Sequence, residues 1–177
     1  MQLIPFIFLL TACTTLQNNQ GKPMNELNII PKTVSGVIED GSIDLTLLQS
    51  IALMHDSDDE KRTAVFLKEL LRPVNTLPIT KYQKNKIDQI VLSIDPQAGI
   101  PAEGYQLIIG GENGAYIKAG AAAGLFYGFQ TFRQLCPTEL EKGTRPASAK
   151  VRNCNIVDHP VFGYRGMPWM YPGISST

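Results

Sequence analysis

The residues of this sequence that could carry out chemistry are few and scattered. The two histidines, His55 and His159, lie far apart, and neither stands near a serine or cysteine in a pattern typical of a nucleophile. With three separated cysteines and no C-x-x-C motif, the chain cannot assemble a usual zinc site. The sequence therefore predicts no metal and no cofactor, and we expect His159, between Asp158 and Pro160, to pack at a domain junction.

Two of the cysteines and a group of aromatic residues have structural explanations. Cys136 and Cys154 could pair in an oxidising compartment, but a disulfide needs their Cα atoms within ~6 Å, which a sequence does not give. We expect two buried thiols. Phe126, Tyr127 and Phe129 could form a platform for a sugar ring, but their spacing on one helix favours a place in the core.

The third cysteine, Cys13, follows a short apolar segment. The run from Leu3 to Leu10 is far below the ~20 residues that a membrane-spanning helix needs. A small residue after such a run is typical of a secretory signal, and Leu10-Thr11-Ala12-Cys13 resembles the lipobox of bacterial lipoproteins.

This resemblance implies acylation of Cys13 and attachment to a membrane of the bacterial cell envelope, either the outer membrane or a membrane facing the periplasm. We expect a signal peptide at 1–12 and a lipidated tether at 13–27. Because Met1-Gln2 carries no Lys or Arg, an ordinary signal peptide with a coincidental cysteine is the alternative.

The overall charge excludes one class of partner. Sixteen basic residues balance sixteen acidic ones, so the formal net charge is zero. A neutral chain has no field that would attract nucleic acid or an anionic surface. We therefore expect no nucleic-acid partner.

The remaining sequence reads as short strands separated by turns. Glu39 to Ser42 is predicted to be a turn that closes the first strand, and Gly110 to Gly114 a hairpin loop. The apolar stretch from Ile43 to Met54 is ambiguous. Strands are predicted at Thr33–Ile38, Ile87–Ile94, Gly104–Ile109, Ala115–Lys118 and Lys150–Val157.

Two helices interrupt the strands. Ser57 and Glu60 form a capping-box pattern, and Pro73 ends the helix that they begin. Its apolar residues at helical spacing are Val65, Phe66, Leu70 and Leu71. The second helix, Gly120 to Leu135, carries an apolar stripe of Ala122, Leu125, Phe126, Phe129 and Phe132 and stops before Pro137. This order predicts an α+β domain, with a mixed or antiparallel sheet and two helices packed on one face.

Three stretches together resemble one known family. They are Glu103–Leu107 (EGYQL), Ala122–Leu135 (AAGLFYGFQTFRQL) and Ile156–Met167 (IVDHPVFGYRGM). In this order and spacing they are similar to the leading, non-catalytic α+β domain of glycoside hydrolase family 20, the bacterial β-N-acetylhexosaminidases, followed by the first strand of the (β/α)₈ barrel. The resemblance implies a domain at 28–157 and the start of the catalytic barrel at 158–167.

The resemblance also assigns one substrate-binding residue. Arg165 matches the family's Tyr-Arg-Gly arginine, which holds hydroxyls of the terminal N-acetylhexosamine, and a guanidinium group is a fixed fork of donors suited to paired sugar oxygens. In the isolated chain we expect Arg165 to be an exposed arginine, because the rest of that pocket is missing. The family's catalytic Asp-Glu pair belongs to a later barrel strand. The one adjacent Asp-Glu here, Asp59-Glu60, lies in a first helical turn and is interpreted as structural, so we predict no catalytic residue in this chain.

The last ten residues, 168–177, depart from the family pattern, which continues roughly as Leu-Asp-Val-Ser-Arg-His-Phe-Phe. Trp169 and Met170 each have one codon, and the bases that encode Trp169-Met170-Tyr171 contain Asp-Val when read from the second G of the Trp169 codon. We therefore expect 168–177 to be an out-of-frame tail. A sequencing error, a pseudogene and a genuine alternative ending all stay open.

The predicted function is that of a fragment. The parent would be an exo-β-N-acetylhexosaminidase that hydrolyses terminal non-reducing N-acetylhexosamine residues of glycans or chitooligosaccharides, and the chain itself is expected to be inactive. The alternative is a non-enzymatic surface lipoprotein domain that binds a glycan or a protein partner. A third interpretation, the leading domain of an α-glucuronidase or an O-GlcNAcase, is disfavoured by the stretch Phe162–Gly166 (FGYRG).

Overall fold

A computed structural model describes residues 29–84, 86–111 and 114–162 of the chain. Its strands are β1 (Ser35–Asp44), β2 (Ser50–Leu53), β3 (Ile79–Lys81), β4 (Gln89–Ile94), β5 (Tyr105–Ile109), β6 (Gly114–Ala119) and β7 (Lys150–Asp158). Its helices are α1 (Asp58–Leu71), α2 (Ala122–Leu135) and α3 (Thr138–Glu141).

All seven strands join one mixed sheet in the order β1-β7-β5-β6-β4-β2-β3. Strands β3, β2, β4 and β6 run parallel to one another, whereas β6, β5, β7 and β1 pair antiparallel. The two long helices contact each other and pack on the same side of the sheet, α1 over β2 and β4 and α2 over β5 and β6. The predicted α+β class, mixed sheet and one-sided helix layer are therefore confirmed.

The first helix begins as its sequence predicts. The Ser57 side chain accepts from the backbone N–H of Glu60, and the Glu60 carboxylate returns to the backbone N–H of Ser57, which completes the capping box. The helix ends at Leu71, just before Pro73. The predicted apolar stripe is only half right: Leu70 and Leu71 are buried, while Val65 and Phe66 are about half exposed. The Phe66 ring packs against Phe126 and Phe129 of α2 instead of lying fully in the core.

The second helix lies unusually close to the sheet because it carries two glycines. A Cβ at Gly124 would overlap the carbonyl oxygen of Gly104, and a Cβ at Gly128 would come within 2.5 Å of Ile117. Leu125, Phe129 and Phe132 are buried as predicted. Phe126, which was predicted to join them, is 38% exposed. Its ring contacts Phe66 of α1.

The prediction of a turn at Glu39–Ser42 is wrong. Strand β1 continues through these residues to Asp44 and accommodates them as a bulge opposite β7, with a register shift between Ile38 and Ser42. Gly41 has φ +94°, and the Asn153 side chain donates to the Asp40 carbonyl at 2.8 Å. A side chain from the neighbouring strand thus stabilises a segment whose composition alone predicts a turn.

Candidate functional site

The two site residues predicted from the sequence, Cys13 and Arg165, lie outside the described residues. Their roles stay predictions. Within 29–84, 86–111 and 114–162, no group of three or more His, Cys, Asp or Glu side chains could hold a metal ion. In the same ranges, no helix has both the length and the apolar character needed to cross a membrane.

The Asp59-Glu60 pair is structural. The Glu60 side chain is fully buried, and its carboxylate accepts backbone N–H groups from His55 at 3.0 Å and Ile94 at 3.1 Å, in addition to that of Ser57. These bonds tie the start of α1 to the ends of β2 and β4. Asp59 lies on the surface in an ion pair with Arg62. A carboxylate that is enclosed by backbone donors has no access to a substrate, so the structural interpretation of this pair is confirmed.

Paired charges surround His55 at the carboxyl ends of the parallel strands. Its Nδ1 lies 3.2 Å from Glu60. Asp95 forms an ion pair with Lys118 at 3.0 Å, and a hydrogen bond from that ammonium lowers the pKa of Asp95. Asp56 is shared between two lysines. Because each of these two carboxylates has a cation beside it, the edge resembles a solvated charged surface more than a binding site.

A groove lies beside β7 in the described part of the chain. It has a volume of about 460 Å³ and lies between the first described residues, the outer side of α2 and the segment that follows β7. Half of its lining residues are large and mainly apolar: Ile29, Ile30, Pro31, Val34, Tyr127, Pro160, Val161 and Phe162. Its size falls within the usual range of small-ligand sites, roughly 300–1,000 Å³.

A hydrogen-bonded row of polar groups borders this groove. Tyr105 Oη lies 2.5 Å from Thr131 Oγ1 and donates to the Asp158 carboxylate at 3.3 Å. The other Asp158 oxygen accepts from the Val34 backbone N–H at 3.1 Å. Burial, opposed by the hydrogen bond to Thr131, raises the pKa of Tyr105 to about 12. Tyr105 therefore stays protonated at neutral pH. The row joins β5, α2 and β7 to the start of the domain.

The entry segment is held to the same groove by a second contact. The Gln134 side chain accepts from the Ile30 backbone N–H at 2.9 Å and donates to the Ile30 carbonyl at 3.1 Å. His159 also lines the groove and is exposed, and its Nδ1 lies 3.3 Å from the adjacent Pro160 carbonyl oxygen. The expectation that His159 packs at a domain junction stays a prediction, since the residues from 163 onward lie outside the described ranges.

Sequence reasoning did not identify the groove. Its walls come from residues about one hundred positions apart, such as Ile30 and Gln134. Its polar members, Tyr105 and Thr131, lie in a predicted strand and a predicted helix, where neither residue type indicates a site. The nearest signal in the sequence was the acidic Asp158 at the end of an apolar strand.

The two described cysteines are buried and form no disulfide with each other. Burial raises the pKa of the Cys136 thiol well above its ordinary value and that of Cys154 to about 11. Both thiols therefore stay protonated and unreactive at neutral pH. This confirms the prediction of two buried thiols.

Comparisons with known protein families, sequences and structures all identify the same family. The family model described as "Glycosyl hydrolase family 20, domain 2" matches residues 26–159. A β-hexosaminidase of Porphyromonas gingivalis is 30% identical over 143 residues, which cover 79% of this chain and 18% of that protein.

Solved structures agree with this assignment. The family 20 β-N-acetylhexosaminidase of Streptomyces coelicolor A3(2) is 32% identical with a TM-score of 0.66, and the N-acetyl-β-hexosaminidase of Streptomyces plicatus is 33% identical with a TM-score of 0.67. Each match covers 77% of this chain and 27% of the solved chain, so the chain spans about a quarter of the length of these relatives. The chain belongs to glycoside hydrolase family 20, and its described residues form the domain 2 of that family.

Proposed function

We propose that this chain is the accessory domain of a β-N-acetylhexosaminidase and has no hydrolytic activity of its own. The observation that carries the proposal is the use of Glu60. Glu60 belongs to the single adjacent Asp-Glu pair in the sequence, and its carboxylate accepts the backbone N–H groups of three residues, His55, Ser57 and Ile94. The catalytic pair that the family resemblance requires would then come from a barrel that follows this domain.

In the complete protein, the substrate would be a glycan or chitooligosaccharide with a terminal N-acetylhexosamine. Arg165 would bind hydroxyls of that sugar through its paired donors. The identity to the Streptomyces enzymes and the family match support this proposal.

The gene itself offers the direct experiment. DNA sequencing around codon 167, followed by expression with the family reading frame restored, should yield a longer protein that releases nitrophenol from the p-nitrophenyl β-glycoside of N-acetylglucosamine. An Arg165→Ala change in that longer protein should raise KM. A downstream sequence without an Asp-Glu motif in any frame would contradict the proposal.

Lipid attachment at the cell envelope is a separate proposal. Support comes from the apolar run before Leu10-Thr11-Ala12-Cys13, and each buried CH₂ of an acyl chain contributes about 0.8 kcal/mol of membrane affinity. Metabolic labelling with palmitate should mark the wild type and leave Cys13→Ser unlabelled and released from the membrane fraction. Cys136→Ser, which removes a buried thiol, is the matched control and should stay labelled.

A glycan-binding domain without enzymatic activity is the second candidate, and the groove of about 460 Å³ favours it. Isothermal titration calorimetry of the purified chain with di-N-acetylchitobiose distinguishes the accessory domain from the glycan-binding domain. Saturable binding that Tyr127→Ala abolishes would favour the second candidate.

A further inference from the structure

The solvent-exposed side of α1 carries charged and apolar side chains in a symmetric order. Positions separated alternately by four and three residues lie on one face of a helix. Five such positions, which we call the exposed stripe of α1, are open to solvent: Asp58, Arg62, Val65, Glu69 and, at the C-cap, Arg72. In chain order the stripe is acid, base, valine, acid, base.

An apolar patch lies at the middle of the exposed stripe. Val65 and its neighbour Phe66 are 51% and 50% exposed. The Phe66 ring contacts the partly exposed Phe126 of α2, with a distance of 5.8 Å between the ring centroids. Exposed apolar side chains that lie together mark interaction surfaces, whereas single ones do not. The middle of α1 is therefore suited to being covered by another surface.

The charges on either side of the patch complement each other when the helix is reversed. If a second α1 lies antiparallel across Val65, Asp58 faces Arg72 of the other copy and Arg62 faces its Glu69. A two-fold axis repeats both contacts, so the same surface serves both copies. A parallel arrangement would instead place Asp58 beside Asp58 and Arg62 beside Arg62, where like charges repel. The stripe thus favours a second copy of this chain in one direction.

Ion pairs within the chain do not prevent these contacts. The exposed charges of α1 pair with neighbours one turn away, namely Asp58 with Lys61, Asp59 with Arg62 and Glu69 with Arg72. Such exposed pairs contribute little individually, whereas networks of several charges contribute more. Across a two-fold axis, the Asp59–Arg62 pair of one copy meets the Glu69–Arg72 pair of the other, and the four charges alternate in sign.

We propose that the exposed stripe of α1 is a homodimer interface, at which two copies of the chain pack α1 antiparallel about a two-fold axis beside Val65. The two apolar patches cover each other, and the charges at both ends fix the direction. A helix of 14 residues is only about 21 Å long. Since one pair of such helices forms a small interface, the dimer is transient and dissociates on dilution. The proposal does not depend on the enzymatic assignment of the parent protein.

Sedimentation velocity over a dilution series of the full chain measures this association. The chain carries Cys13→Ser, so that acylation cannot hold copies together. The mass should approach that of two chains at the highest concentration and fall to that of one chain on dilution. A mass of one chain at every concentration would overturn the proposal.

Two charge reversals test the pairing of Arg62 with Glu69. Arg62→Glu and Glu69→Arg each bring like charges together across the two-fold axis, so each variant alone should associate at least about tenfold more weakly. An equimolar mixture of the two variants restores opposite charges at both contacts and should form a heterodimer. A mixture that stays monomeric like its components would contradict the antiparallel pairing.

A matched pair of valine variants tests the middle of the interface. Val65→Arg places two charges against each other at the two-fold axis and should also weaken association at least about tenfold. Val157→Arg makes the same change at a 41% exposed valine of β7, outside α1, and should associate as the wild type does. Circular dichroism of all variants verifies the fold. Equal effects of the two valine changes, or association that no change in the stripe weakens, would place the contact elsewhere on the chain and overturn the proposal.

Discussion

Single residues decide how the parallel half of the sheet is joined to α1, and Glu60 is the clearest case. Its buried carboxylate satisfies donors from His55, Ser57 and Ile94 at once. A glutamine has one acceptor oxygen and brings an NH₂ group toward the same donors. We expect Glu60→Gln to lower the free energy of unfolding by ~1–3 kcal/mol, since a buried N–H is left unpaired.

Urea unfolding measures this loss, and the neighbouring Asp59→Asn is its control. The Asp59 side chain is 40% exposed and pairs with Arg62, so the loss on its substitution should stay below ~1 kcal/mol. Equal, small effects of both changes would mean that Glu60 is not the connection between α1 and the sheet.

Burial of the Tyr105 phenol makes the stability of the fold depend on pH. Its pKa in the folded chain, about 12, lies above the ordinary 10.0 because the phenol is buried. A raised folded pKa contributes stability that is fully present below pH 10.0 and is lost as pH rises through about 12. Two pKa units correspond to roughly 2–3 kcal/mol.

Tyr105→Phe removes this titration. The stability advantage of the wild type over Tyr105→Phe should therefore shrink as pH rises through that window, as followed by urea unfolding at a series of pH values. Tyr116→Phe removes a hydroxyl from the opposite face of the sheet and serves as the control for the substitution itself. A difference between wild type and Tyr105→Phe that stays constant with pH would argue against a buried phenol.

At the scale of elements, α2 is the helix that joins the core to the groove. Phe129 is buried and stacks on Phe66, whereas Phe126, on the same helix, is 38% exposed. Phe129→Ala should cost ~3–5 kcal/mol of unfolding free energy. Phe126→Ala removes the same ring at the exposed position and should cost about half of that or less. Losses of similar size in urea would show that the helix is rotated from its described orientation.

Sequence patterns predicted most elements because each has a local cause. The capping box sets the start of α1, prolines follow the ends of α1 and α2, and glycines mark the β5–β6 hairpin. The bulge in β1 was missed, since Asn153 of another strand stabilises it. Strand β3 has three residues and α3 has four, too short for a periodicity to be visible. The groove was not predicted because its walls are joined by contacts between residues far apart in the sequence, which local patterns do not reveal.

At the scale of the whole molecule, the two ends of the described domain lie side by side. Ile30 is bound to Gln134 on α2, and Val34 is bound to Asp158 at the end of β7. The chain therefore enters and leaves the domain at one place, next to the groove. A domain with adjacent ends can be joined to another domain without any rearrangement of its own sheet. This arrangement is consistent with the length of the Streptomyces relatives, of which this chain covers 27%.

The last prediction is that the 177-residue chain does not hydrolyse N-acetylhexosaminides. Glycoside hydrolysis needs an acid and a second carboxylate fixed around one anomeric centre. Within the described ranges, Glu60 is enclosed by backbone donors, and Asp56 and Asp95 are held by lysines. The groove offers Asp158, whose oxygens already accept from Tyr105 and Val34. Purified chain should release no more nitrophenol from the N-acetylglucosaminide than buffer does, and Arg165→Ala and Asp158→Asn should change nothing. Turnover that either variant abolishes would show that the chain carries an active site of its own.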